Sequence, residues 1–416
     1  MSSIVVSGDT SGSVTLSAPV VSGSSVLTLP VATDTLVGKA TTDTLTNKTL
    51  TSPTLTTPAL GTPASGILTS CTGVNYDGFK SRIINGAMVI DQRNAGASVN
   101  PPTDGGYSTV DRWRTFRSQA SKYTIQQTPS ATETGYATRV GAGFASYLAV
   151  TSSSAYSITS TDYFMLNTRI EGFNSSDFAW GTANAKTVTL SFWAYSSLTG
   201  TFGGSITNSN ENYSYPFTYT ISAANTWEYK TVVITGPTAG TWVGATNGVG
   251  VSVWFGMGVG STISGTAGAW ASANYYSATG ATSVVGTNGA TFYITGVQLE
   301  KGATATAFDY RDYGRELIMC QRYYYAAASS YLNYPAFHYS TSAYTFVPFP
   351  VLMRTDPTVT ANGAGTSFYE AGVALTASGY TLSGRTHGAS IQVGVTGGTN
   401  GYAGTFYPLF QASAEL

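Results

Sequence analysis

Two stretches of this 416-residue chain bring aromatic rings, amides and hydroxyls together with almost no charge. AWASANYYSATG, residues 269–280, supplies Trp270, Asn274, Tyr275 and Tyr276. SSYLNYPAFHYSTSAY, residues 329–344, supplies Tyr331, Asn333, Tyr334, His338 and Tyr339. A pyranose ring offers an apolar C–H face to an aromatic plate and a rim of hydroxyls to amide and hydroxyl partners, so such residues suit sugar binding. They are the candidate glycan-binding residues, with the alternative that any one ring packs in a core or a subunit interface. Trp113, Trp193, Trp227 and Trp254 stand in strand-like contexts and are expected to be packing residues.

Bond-breaking chemistry is poorly supplied. The two histidines, His338 and His387, lie in no G-x-S-x-G nucleophile elbow and read as surface or loop residues. Glycan cleavage needs two carboxylates flanking the scissile bond. Asp104/Asp111, Glu171/Asp177 and Asp309/Asp312 are the available pairs, and sequence spacing sets none of them across a groove. No repeat of solenoid length marks a coiled β-helix. The expectation is therefore no catalytic residue. DYRD (309–312) and STVDRW (108–113) place carboxylates in loops, where they either ligate calcium through oxygen or form salt bridges, Asp111 with an arginine and Asp309 with Arg311 or Arg315. The salt bridge is the favoured reading, and no metal or cofactor is expected. Cys71 and Cys320 are too far apart in sequence to suggest a disulfide framework or a zinc site, and are expected to be reduced thiols.

The elements that position these residues are strands. The chain has 47 glycines and only 9% charged residues, so Ser, Thr, Asn and Gly cover its surface. That composition predicts an all-β protein. A net charge of −1 gives no cationic face for nucleic acid. The opening MSSIVVSGDTSGSVTLSAPVV carries no targeting signal, and no apolar run long enough to span a membrane occurs. An adhesive composition with neither export signal nor disulfide scaffold suits a virus particle assembled in the cytoplasm and released by lysis.

KTVTLSFWAYS alternates Val188, Leu190, Phe192 and Ala194 against Thr187, Thr189, Ser191 and Trp193, the signature of a half-buried strand. YKTVVIT (229–235), GVSVWFGMGV (250–259) and ATFYITGVQLE (290–300) repeat it, and in the last the apolar parity shifts around Gly296, predicting a β-bulge. These strands predict a sandwich, a jelly roll spanning 79–313. GRELIMCQRYYY sets Leu317, Cys320, Gln321 and Tyr324 at helical spacing, predicting a connector over 314–325 that is a short helix or a bend. Residues 326–416 return to strands as a smaller C-terminal β domain.

The N-terminal segment is of another kind. No Phe, Tyr or Trp precedes Tyr76, so this part buries little apolar area and cannot build a core alone. Residues 1–40 hold two short strands, within SGSVTLSAPVV and SSVLTLPVA. Residues 41–78 hold a thread in which Leu45, Leu50, Leu55 and Leu60, and also Pro53, Pro58 and Pro63, recur every fifth place. Proline fixes φ and removes a donor, which blocks long helix or sheet. Three chains wound together would turn the leucines inward and make a trimeric stalk; the alternative is a flexible Thr/Pro linker.

LTNKTLTSPTLTTPALGTPASGILTSCTGV resembles the linker of tail-fibre and receptor-binding proteins of tailed bacteriophages, and RIINGAMVIDQRNAG with YSTVDRWRTF resembles the opening of their carbohydrate-binding-module-like jelly roll. FYITGVQLEKGATATAFDYRDYGRELIMCQRYYY is similar to the closing strand and connector of that module, and PVLMRTDPTVT with the final SAEL to their C-terminal domains. The resemblance implies an intertwined homotrimeric virion fibre, joined by its N-terminal region to a tail, baseplate or adaptor protein and meeting host surface polysaccharide with its distal domain as the tip. A capsid-attached head fibre or decoration protein is the alternative, and a glycan depolymerase the second.

Overall fold

The computed structural model describes residues 3–7, 11, 13–17, 80–103, 105–129, 143–327, 334–361, 367–407 and 409–416. The second expected N-terminal strand, the leucine thread, Cys71, Asp104, Tyr331 and Asn333 lie outside them. Residues 1–70 form one unit and 71–416 another. In the first, β1 (Ser3–Ser7) and β2 (Ser13–Ser17) pair antiparallel, Ile4 opposite Leu16 and Val6 opposite Val14.

In the second unit the strands β3 (Gly106–Tyr107), β4 (Trp113–Arg117), β5 (Tyr123–Pro129), β6 (Ser146–Ser152), β7 (Tyr163–Glu171) and β8 (Val188–Ser196) come first. They are followed by β9 (Gly200–Thr207), β10 (Ser214–Ile221), β11 (Glu228–Ile234), β12 (Val249–Val259), the short β13 (Ser264–Gly265) and β14 (Ser277–Ala278), and β15 (Thr291–Lys301). One sheet has the order β10-β9-β12-β7-β4-β3 and the other β11-β8-β15-β6-β5. From β6 to β9 successive strands alternate between sheets, the path expected of a jelly roll. The inward parity of each long strand fills the core: Phe192 and Leu190 of β8, Phe255 and Val253 of β12, Phe292 and Ile294 of β15, Phe164 and Leu166 of β7. Trp113 and Trp254 are buried, as the sequence predicts. The predicted bulge is present, with a register shift between Thr295 and Gln298 and Gly296 at φ +61°.

Helix α1 (Tyr313–Gln321) follows, its first turn capped by the Asp312 side chain, which accepts the Arg315 amide at 2.9 Å. Leu317 and Cys320 turn to Ile84, Ile90 and Tyr323, so these two of the four helically spaced residues form the packing face, while Tyr324 lies past the helix in the following strand. Beyond it run β16 (Tyr324–Ala327), β17 (Tyr334–Tyr339), β18 (Ser342–Pro348), β19 (Thr358–Ala361) and β20 (Ser367–Glu370). The last four are β21 (Val373–Arg385), β22 (Gly388–Thr396), β23 (Ala403–Tyr407) and β24 (Phe410–Ser413). Six of these close a barrel, β17-β18-β22-β21-β20-β23, and β16-β24-β19 form a small separate sheet. Ala343, Val347, Phe368, Val393 and Phe406 belong to the second core.

Sandwich and C-terminal strands meet in a buried set of charges. Glu415 takes the Arg93 guanidinium at 2.7 Å and that of Arg112 as well, and Glu171 takes Arg322 at 2.6 Å and the Tyr323 hydroxyl at 2.5 Å. Arg112 is 1% exposed; burial alone would lower its pKa, but Glu415 together with Tyr107 and Tyr323 more than offsets this and holds it charged.

Candidate functional site

The outward parity of the β11-β8-β15-β6-β5 sheet makes an aromatic surface. On β8, Ser191, Trp193 and Tyr195 face away from the core. Register then places Tyr229 of β11 opposite Trp193, with ring centroids 5.5 Å apart. Tyr293 of β15 lies opposite Tyr195, and the two rings stack at 4.9 Å and 4°. Trp227, next before β11, stands 5.6 Å from Tyr195 and edge-on to Tyr147 at 5.5 Å.

Residues 302–310 fold back over this face and raise one wall. Two polar side chains of β15, both fully buried, hold them. Glu300 accepts the Thr306 amide at 2.9 Å and its hydroxyl at 2.6 Å, and Gln298 accepts the Asp309 amide at 2.8 Å. A carboxylate that accepts several such bonds is matched where it lies, and removing it would leave buried donors unpaired. Phe144, Phe308 and Tyr310 close the wall, their rings 4.9 to 5.3 Å apart. Between wall and floor runs a groove of 670 Å³ lined by Ser191, Trp193, Tyr229, Gly296, Thr306 and Phe308 among others. No carboxylate, histidine or cysteine lines it. Beyond Thr306, a second cavity of 500 Å³ carries Lys186 and Lys301 on its lining. The groove can stack planar apolar faces and bond hydroxyls; its lining places no carboxylate, imidazole or thiol beside them.

Trp193 and Trp227, expected to be packing residues, are half-buried and pack on this outer face, against Tyr229 and against Tyr195 and Tyr147, not in the core. β-strand parity decides this, since Trp193 shares the face of Thr189 and Ser191.

The sequence-predicted residues lie elsewhere. Trp270 stacks on Tyr213 (5.6 Å, 13°), meets Trp180 and Trp242 edge-on, and donates its indole N–H to the Thr235 carbonyl at 2.7 Å. It is half-buried against the sandwich core. Tyr276 lies over Trp254 at 4.6 Å and donates to Glu211 at 2.5 Å, and Asn274 donates to the Tyr276 hydroxyl at 3.1 Å. Burial and Glu211 push the Tyr276 phenol up, so it stays a donor. The Tyr275 ring lies against Gly265, where a Cβ would come within 2.3 Å of it. These four residues fasten the segment 269–278 onto the other sheet. In the barrel, Tyr334 is half-buried on β17 and Tyr339 is 59% exposed at its end. His338 is 1% exposed, which corrects its reading as a surface or loop histidine: with Ala336 it takes the inward parity of β17, while Phe337 and Tyr339 face out. His387 is exposed in the turn between β21 and β22.

The candidate carboxylates are engaged in structure. Asp111 is held by Arg93 at 2.5 Å and Asp309 by Arg311 at 3.4 Å, the salt bridges the sequence favours. Burial pushes the Asp111 carboxyl up to about 6 against the pull of Arg93 and Gln92. Asp177 binds Arg82 and Lys301, and Asp312 caps α1.

No family model and no curated protein matches the chain. Among solved structures it is similar to the enzymatically active domain of tailspike protein 4 of bacteriophage CBA120, at 12% identity and TM-score 0.27, over 54% of this chain and 22% of that one. The chain therefore spans about a fifth of the tailspike domain's length. A family 11 carbohydrate-binding module from Clostridium thermocellum, in complex with a β-1,3-1,4-mixed-linked tetrasaccharide, is similar over 47% of this chain and 91% of that one, at 11% identity and TM-score 0.23. An arabinose-bound GH51 α-L-arabinofuranosidase is similar over 54% of this chain and 27% of that one, at 12% identity and TM-score 0.27. Likenesses this distant decide nothing about activity.

Proposed function

We propose that this chain is a non-catalytic glycan-binding fibre protein of a tailed-phage particle, which adheres to host surface polysaccharide through the groove on the β11-β8-β15 face. The observation that carries this reading is the pairing of Trp193 and Tyr229 on the floor with hydroxyl and backbone groups on a fixed wall, without a carboxylate in the lining. Aromatic plates bind sugar faces, and a single site need be only weak if several chains act together. The fibre assignment rests on the motifs of the linker and of the QLEKG to CQRYYY segment. It takes three copies to give the aromatic-poor N-terminal region a shared core, with residues 1–40 meeting an adaptor on the tail. Self-association is also supported by the barrel wall, where Phe337, Tyr344 and Phe346 are 50%, 43% and 43% exposed beside a groove of 680 Å³.

The test is affinity electrophoresis of the full chain through gels containing bacterial surface polysaccharides, followed by adsorption assays with free protein as competitor. Trp193→Ala is expected to lose about tenfold in affinity, the worth of one aromatic contact, and with it the block on adsorption. Equal retention of Trp193→Ala and the parent chain would overturn the groove. Release of soluble reducing ends would overturn the non-catalytic reading in favour of a depolymerase.

A further inference from the structure

The closed barrel has a mouth of its own, far in sequence from the sandwich groove. The turns 340–341, 371–372 and 397–402 meet there, and a cavity of 420 Å³ is lined by Ser340, Thr341, Ser342, Ser378, Thr396 and the Gly397–Gly398 backbone. Its remaining polar lining residue is His338. The ring is 1% exposed, its Nδ1 lies 3.0 Å from Glu370 Oε2, and its Nε2 has no hydrogen-bond partner among the described residues. A buried polar atom left unpaired costs free energy, and when it persists it asks for an explanation.

The neighbours determine what would satisfy it. Glu370 also accepts the Thr399 amide at 2.7 Å. Burial alone would raise its carboxyl, but Thr399 and His338 more than offset this and keep it below the ordinary range. An ionised carboxylate only accepts, so Nδ1 carries a proton, and in the neutral tautomer that this selects Nε2 presents a lone pair. The group that fits is a donor. Five hydroxyls on the rim supply both donors and acceptors, and no lysine, arginine or carboxylate lines the cavity, which disfavours an ionic ligand. Glycine allows the approach: a Cβ on Gly398 would come within 2.2 Å of the imidazole Cε1 and 2.4 Å of Nδ1, so the backbone there lies against that edge of the ring.

We propose that this barrel mouth is a second binding site, for one neutral polyhydroxylated unit such as a single sugar residue, with a ligand hydroxyl donating to His338 Nε2. The volume falls within the roughly 300–1,000 Å³ typical of small-molecule sites.

The chain has two histidines, so the ¹⁵N spectrum of histidine-labelled full chain shows His338 with His387 as an internal control. D-glucose, D-galactose and N-acetyl-D-glucosamine are the probes, with sodium acetate as anionic control. The expected result is an unprotonated Nε2 at His338 whose resonance moves saturably with at least one sugar, while His387 stays still. Thr341→Trp, which narrows the rim at an exposed turn, is expected to abolish that shift and leave the sugar-free spectrum of His338 unchanged. No sugar-dependent shift, a larger response to acetate, or a shift that survives Thr341→Trp would overturn the site. Trp193→Ala leaves the His338 shift intact, so failure of the sandwich groove and failure of the barrel mouth are told apart.

Discussion

The ring of Phe144 occupies the space that a side chain on Gly296 would need: an ideal Cβ there would come within 2.5 Å of Phe144 Cζ. The bulge in β15 and the wall of the groove are thereby one feature. Gly296, at φ +61°, turns the strand and leaves room for Phe144, on which Phe308 and Tyr310 pack.

Gly296→Ala is therefore expected to cost about 2–3 kcal/mol, from a left-handed backbone and a displaced ring together, and to weaken glycan binding by loosening the wall. Gly280→Ala, at φ +78° with nothing within 4 Å of its Cβ, is expected to cost only about 1 kcal/mol. Urea unfolding midpoints of the two variants provide the check; equal losses would show that Phe144 yields freely.

Asp162 supplies a pH dependence. Burial would raise its carboxyl, but the Ser118 hydroxyl, the Thr159 amide and hydroxyl and the Tyr156 hydroxyl more than offset this and depress it from 3.8 to about 2. An acid with a depressed folded-state pKa stabilises above its unfolded value and loses that contribution as pH falls through the folded one. Thermal melts are expected to show Asp162→Asn less stable than the parent at neutral pH, with the gap closing between about pH 4 and pH 2. A gap that stays constant across that window would refute the assignment.

The Cys320 thiol is expected to be inert. It is fully buried, and burial with Asp111 and Glu316 nearby pushes its pKa well above the usual range. Iodoacetamide at mildly alkaline pH should leave the peptide containing Cys320 unlabelled in the native chain and label it fully in guanidinium. Native labelling at Cys320 would mean that α1 opens readily.

Light scattering after size exclusion addresses the proposed stalk. The full chain is expected near three times 43.3 kDa, and a chain beginning at Tyr76 is expected to fall in mass or dissociate. Monomers in both cases would leave residues 41–78 as a linker.

Strand parity was legible in advance to different degrees. In β8 the alternation already assigns Trp193 to the face of Thr189 and Ser191, and only its size argues for burial; the register to Tyr229 that completes the floor depends on pairing across distant sequence. In β17 residue type misleads outright, because the barrel turns Ala336 and His338 inward and leaves Phe337 and Tyr339 outside. Phe368 of β20 and Phe406 of β23 already fill the interior, so β17 contributes a small side chain and one paired imidazole there. The residues around Trp270 are small and polar, yet Tyr213, Trp180 and Trp242 reach it from far along the chain. Glu300 and Gln298 escape any hydropathy pattern, since their burial is explained only by the loop they hold. The helix at 313–321 and the bulge at Gly296 were readable because both are local: one follows from four-residue spacing, the other from a parity change within one strand.

The grip of Glu415 on Arg93 and Arg112 sets an order of events during synthesis. The two arginines belong to the first part of the sandwich, but their partner is translated only after all six barrel strands. Chains emerge at roughly 5–20 residues per second, and early domains begin to fold before later ones exist. For many seconds the nascent sandwich must therefore carry Arg112 with its carboxylate partner still unmade, and Arg93 with Asp111 alone, so this junction matures last although the sandwich is made first. A ribosome stalled within the barrel would hold a sandwich whose junction surface still lacks the Glu415 carboxylate, a state well suited to recognition by chaperones.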